Sequence, residues 1–143
     1  MGLDNSYKPG AYFEYKTVII PADTKVDRGG EDAADGTDTM LIVADGVGGW
    51  SLSGVDPGFF SRKLVSSGIE HHLKSPTSGP LEVLTVGCDT SSASFQGSAT
   101  VVGAKIASSE MIETGNLGDS GYMLFHLSED GTRLENYFVS ETM

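Results

Sequence analysis

Three short stretches place carboxylates against glycines: Gly30-Glu31-Asp32, Ala44-Asp45-Gly46 and Gly118-Asp119-Ser120-Gly121. The latter two stand at the ends of hydrophobic runs with strand character. Carboxylates gathered in this way repel one another unless a cation neutralises them, and oxygen donors without His or Cys select hard ions such as Mg²⁺ or Mn²⁺. A glycine beside the acid lets the backbone come close and offer its own carbonyl. The competing reading is a set of solvated turn acids, because Asp-Gly is also a common turn pair. The residues alone leave both open.

Other groups point less clearly to chemistry. His71 and His72 fall on a predicted helix, where adjacent residues do not share a face, so they are poor partners for one metal. Ser120 has no neighbouring base in the sequence and Cys88 stands outside any motif, which leaves nucleophilic catalysis without support. Gly46-Val47-Gly48-Gly49 lacks the Lys-Ser/Thr of a phosphate-binding loop and the spacing of a dinucleotide fingerprint. Trp50, Phe59 and Phe60 read as packing residues.

The acids belong to a chain of 143 residues with 20 Asp and Glu against 9 Lys and Arg, a formal net charge of −11. That balance repels a phosphate backbone and argues against nucleic acid as a partner. The single Cys88 cannot form an internal disulfide, and no run approaches the roughly 18 apolar residues of a membrane helix. An intracellular protein with no integral membrane segment is expected, cytoplasm and mitochondrion being unresolved. Met1-Gly2 with Ser6 fits the short N-myristoylation pattern, without the polybasic neighbour that stable anchoring needs.

The elements that must position these loops follow from periodicity. Residues 12–20 alternate loosely and predict a strand, residues 22–38 a polar loop, and residues 39–44 a buried apolar strand ending at Asp45. Apolar residues recur at helical spacing over residues 57–73, with Asp56 as a cap and Pro57 in the first turn. A weaker helix covers residues 81–94, its glycine and threonines counting against it. Strands are expected at 98–106, 111–117, 122–127 and 134–139, joined by turns into an antiparallel meander. The class is α+β. The chain stops at Met143 directly after a strand-like segment, which predicts a truncated unit, residues 1–143 forming a single incomplete domain.

In this order, Gly30-Glu31-Asp32-Ala33, Val43-Ala44-Asp45-Gly46-Val47-Gly48-Gly49-Trp50 with Gly54-Val55-Asp56-Pro57, Gly97-Ser98-Ala99-Thr100, and Asn116-Leu117-Gly118-Asp119-Ser120-Gly121 resemble the successive motifs of the metal-dependent PPM family, the type 2C serine/threonine phosphatases. The likeness is greatest to the branch that includes mitochondrial type 2C phosphatases. It covers most of this chain and the N-terminal part of the family's domain.

The resemblance implies two β-sheets packed face to face and flanked by helices (α-β-β-α), with a two-metal site at one rim. Asp45 would match the carboxylate bridging two Mn²⁺ or Mg²⁺ ions, and Gly46 the residue that offers its carbonyl. Glu31 and Asp32 would match an acidic pair on one metal, and Asp119 an acid for a further, weaker ion. The implied reaction is hydrolysis of phosphoserine or phosphothreonine in a phosphoprotein substrate by a metal-activated water, without a phosphoenzyme. Many members carry a His after the Asp-Gly; Val47 stands there, as in the branch named, so the leaving-group acid is unassigned. The family's phosphate-gripping Arg corresponds to Arg28, one place out of register, with Lys25 as a substitute. The remaining metal carboxylates of the family come from later Asp-Gly and Asp-Asn motifs, which this chain does not contain. The alternative is a non-catalytic PPM-fold binding or structural module, and unfinished sheet edges imply self-association or a partner.

Overall fold

The computed structural model describes residues 10–141. Met1, Gly2 and Ser6, which carry the myristoylation pattern, lie outside the described residues. Alternation along one strand, β2 (Met40–Gly46), sets the architecture. Met40, Ile42, Ala44 and Gly46 are buried on one face, while Leu41, Val43 and Asp45 belong to the other, as the two-residue repeat of a pleated strand requires. β2 pairs antiparallel with β1 (Ala33–Gly36) and with β3 (Ala99–Ser108), which pairs in turn with β4 (Met111–Leu117). The order of this sheet is β1-β2-β3-β4.

Two helices cover the buried face. α1 (Pro57–Lys74) lies on β1 and β2, and α2 (Pro80–Ser94) on β3 and β4. Asp56 caps α1 by accepting a hydrogen bond from the Gly58 amide at 2.9 Å, with Pro57 in the first turn, where its missing N–H is not needed. The core joins Met40, Ile42, Ala44 and Val101 to Phe60, Leu64, Val65 and Ile69 of α1 and to Val83 and Leu84 of α2. The glycine that weakened the prediction of α2 is what brings the helices together. A Cβ on Gly87 would stand 2.6 Å from the Leu64 carbonyl oxygen. Buried Ser91 adds a hydrogen bond to the Phe60 carbonyl at 2.8 Å. The threonines are also accommodated: Thr85 and Thr90 donate to the carbonyls of Leu81 and Val86, one turn back.

Four expectations are corrected. Residues 12–20 form no strand; Phe13 N–H donates to the Asp38 carbonyl and the Tyr15 hydroxyl to the Gly36 carbonyl, but no ladder partner runs alongside. Ile20 is left 85 % exposed. The loop over 22–38 contains a 3-10 turn (Asp23–Arg28) and the strand β1. Ala-Ala-Asp-Gly has no apolar alternation, and it is a strand because the edge of β2 pairs with it. The run at 39–44 is buried on one face only, Val43 being 51 % exposed. Finally, the meander is broken after β4. β5 (Met123–Leu127) and β6 (Leu134–Val139) pair with each other in a separate two-stranded sheet.

That hairpin approaches the face of the large sheet opposite the helices. Leu41, Val43, Val102 and Ala104 from the sheet, with Met123 and Leu124 from β5, line one apolar cleft of about 230 Å³. The layers are therefore helix, sheet and a partial second sheet, and among the described residues no helix covers the outer side of β5 and β6. No helix of the described residues is long and apolar enough to cross a membrane.

Candidate metal centre

Asp45 and Gly46 end β2, and the sheet register decides what stands beside them. Asp45 is opposite Thr100, and one position along β3, Val101 is opposite Leu117. The turn after Leu117 therefore emerges next to the end of β2. Thr100 and Ser120 share a hydroxyl hydrogen bond, and the Asn116 side-chain amide donates to the Ser120 carbonyl. These two links seat the Gly118–Gly121 turn and deliver Asp119 to the same corner. The other carboxyl oxygen-bearing loop arrives through Gly46. A Cβ there would lie far inside van der Waals contact distance of the Glu31 carbonyl oxygen and 2.7 Å from Ser61 Oγ. Glycine at this position lets the Glu31-Asp32 segment lie directly on the end of β2.

The third motif is drawn in as well. Val47 N–H donates to the Ser98 carbonyl at 3.0 Å and Trp50 Nε1 to Ser98 Oγ at 2.9 Å. Trp50, read as a packing residue, thus fastens the short 3-10 helix Gly48–Ser53 to the start of β3. Ser98 was part of a motif, but its tie to Trp50, 48 residues away, carries no local sequence signal.

The electrostatics of the corner report this convergence. Partial burial raises the Asp45 pKa above its ordinary 3.8, and a side-chain hydrogen bond with Asp32 and the charges of Asp32, Asp119 and Glu31 raise it further. A carboxyl hydrogen-bonded to a carboxyl, with two more acids near by, favours a proton or a cation. The donor set is all oxygen, which fits a hard divalent ion. It is not a finished cage: among the described residues no three His, Cys, Asp or Glu side chains converge closely enough to enclose one. Asp32, Asp45 and Asp119 stay exposed, while Glu31 is buried at 7 % exposure.

Glu31 is already engaged. Its Oε2 forms an ion pair with Lys25 Nζ, and its Oε1 accepts from Ser51 Oγ at 3.2 Å. Arg28 lies exposed at the last position of the 3-10 turn and takes no part in this pair. The cation that the turn places on Glu31 is Lys25.

The remaining candidates are separate. His72 is buried against the sheet, its Nε2 2.9 Å from Thr39 Oγ1, and burial with the charges of Lys105 and His71 lowers its pKa. His71 turns instead toward Ser78 and Glu82. Burial, with the charge of Asp89, pushes the Cys88 thiol up, away from the thiolate that reactivity needs.

No family model matches the chain. Individual proteins do. Probable protein phosphatase 2C 80 of Arabidopsis thaliana is 38% identical over 111 residues, covering 74% of this chain and 26% of that protein. Probable protein phosphatase 2C 71 of Oryza sativa subsp. japonica is 32% identical over 116 residues, 78% of this chain and 24% of the relative. Among solved structures, the photosystem II phosphatase PBCP matches with a TM-score of 0.66 at 28% identity, covering 86% of this chain and 47% of the other. The chain spans about a quarter of the length of the curated relatives quoted. The fold described above is the one it shares with PBCP, and the homologues of this chain are 2C-type protein phosphatases.

Proposed function

We propose that the chain is the acid-bearing part of a metal-dependent protein serine/threonine phosphatase, and that Asp45, Asp32, Glu31 and Asp119 with the Gly46 carbonyl hold Mn²⁺ or Mg²⁺. The observation that carries this reading is the meeting of three separate acidic loops at the end of β2, with the Asp45 pKa raised by partial burial and by its acidic neighbours, in a chain whose homologues are phosphatases. When bound, divalent ions supply Lewis acidity toward phosphoryl oxygens and a water of lowered pKa. The chain's own residues gather the carboxylates, keep Asp45 at the meeting point, and hold the Asp119 turn in place through Thr100 and Asn116. Val47 directly after Asp45-Gly46 supports assignment to the branch that includes mitochondrial type 2C phosphatases.

The test is hydrolysis of phosphoserine and phosphothreonine peptides by this chain and by a longer reading frame that supplies the rest of a relative's length. Mn²⁺-dependent turnover in the longer protein, abolished by chelation and insensitive to Val47→His, is the expected result. Absence of turnover in both would favour the non-catalytic binding module.

Association through the uncovered faces belongs to the same reading. Met123, Phe125 and Leu127 on β5 and Leu134, Tyr137 and Phe138 on β6 are exposed, and unpaired strand edges with apolar side chains invite another chain. Light scattering of the 143-residue chain over a concentration series is expected to show self-association. A strictly monomeric, cooperatively unfolding species would speak against it, the net charge of −11 then keeping the molecules apart.

A further inference from the structure

We infer that Lys25 is a built-in counter-ion which competes with the divalent metal for Glu31, so that metal binding at the acid cluster requires Lys25 to withdraw. This rests on the metal-centre reading above and concerns a different residue. Glu31 is the most buried acid of the cluster, and a carboxylate at 7 % exposure needs a partner. It has two: the Lys25 ammonium on Oε2 and the Ser51 hydroxyl on Oε1. Gly48 closes the space around them, since a Cβ there would stand 2.8 Å from Glu31 Oε2 and 3.2 Å from Lys25 Nζ. A metal ion and an ammonium group cannot both take the same oxygen in so confined a place.

The two cations also meet unequal conditions. Lys25 Nζ sits on a side chain that is 33% exposed, from an exposed 3-10 turn in which no residue is buried. It can swing into water without disturbing the core, at the loss of one ion pair. Glu31 cannot follow, because its backbone is pressed against Gly46 and its side chain against Gly48. The exchange therefore moves the lysine and leaves the carboxylate in place, ready for a divalent ion shared with Asp45 and Asp32. Lys25 keeps the acid cluster neutralised when divalent metal is scarce, and sets the concentration at which metal enters.

The experiment is calorimetric titration of the full 143-residue chain with MnCl₂, with melting curves taken with and without the ion. Lys25→Met is expected to bind Mn²⁺ about tenfold more tightly than wild type, as removal of the cation competing for a buried carboxylate implies. Its melting temperature falls without metal, where Glu31 has lost its counter-charge, and recovers when Mn²⁺ is added. Lys25→Gln guards against a folding failure of the methionine variant and is expected to behave in the same way. In a Glu31→Gln background the gain from Lys25→Met disappears, because there is no longer a carboxylate to compete for. An unchanged or weaker affinity in both Lys25 variants would overturn the inference while leaving the metal centre standing. So would a gain that persists with Glu31→Gln, which would signify general charge repulsion. No Mn²⁺ binding in wild type and both variants would overturn the metal centre and this inference together.

Discussion

Asp45→Asn is expected to weaken Mn²⁺ binding at least about a hundredfold and, at the same time, to raise the stability of the metal-free chain. Changes merely outside a metal's ligand sphere cost roughly 10–100-fold in affinity, so loss of the central carboxylate belongs at or beyond the top of that range. The stability gain comes from the same crowding. Asp45 has its pKa raised by burial and by Asp32, Asp119 and Glu31, so its folded pKa lies above its unfolded value. A carboxyl of that kind favours the folded state at low pH, and this contribution is lost as pH rises through the folded pKa. Asn does not titrate. The advantage of the variant over wild type is therefore absent below the ordinary value of 3.8, opens as pH climbs through the raised pKa, and persists to neutrality. Because Asp45 is largely exposed, solvent screening limits the gain to no more than about 1 kcal/mol. Melting curves across the acid range, paired with calorimetry at neutral pH, read both effects. A variant that bound Mn²⁺ like wild type would show that the three acidic loops are solvated turns.

Gly46→Ala is expected to be the most damaging single change near the cluster for stability. The added methyl has nowhere to go: the Glu31 carbonyl oxygen lies far inside contact distance and Ser61 Oγ stands 2.7 Å away. One obstacle is backbone and the other is a fully buried side chain of α1 itself, so relief requires the Glu31-Asp32 segment to retreat from β2. Overpacking of this sort costs about 3 kcal/mol, a large part of the roughly 5–15 kcal/mol that holds a domain together. Urea denaturation measures it. Gly49→Ala serves as the control, since nothing lies within 4 Å of a Cβ at that position, and its effect is expected to stay within about 0.5 kcal/mol. Equal stability of the two variants would mean that Glu31 is free to shift and that the acid cluster is loosely held.

Much of the fold could be read from periodicity because the signals were local. α1 was legible from Phe60, Leu64 and Ile69 on one face and from Asp56 and Pro57 at its start, all within one stretch of chain. β4 and β6 were legible with their bounds, each flanked by turn residues. The failures share a cause. β1 is a strand only because β2 offers an edge, and residues 12–20 lack such an edge despite their alternating pattern. The turn at Gly118–Gly121 reads as a tight turn within a continuous meander, but Asn116 and Thr100 hold Ser120 and the chain leaves the sheet. Gly87 lowers helix propensity locally and makes the helix–helix contact possible; only the second effect is non-local.

The same division runs through the candidate site. That acids stand beside glycines at strand ends, that their donors suit a hard cation, and that four motifs follow one another in the order of a phosphatase family are properties of the linear chain, because residue type and spacing are enough to state them. Which acids face one another is not such a property. Asp45 meets Asp32 and Asp119 through the β2–β3–β4 register and the close approach at Gly46. Likewise, the pairing of Lys25 with Glu31 depends on how the short turn packs against the loop that carries Glu31. Pair distances across a sheet or between a turn and a strand depend on packing among residues far apart in the chain, and charge interactions fall off with those distances.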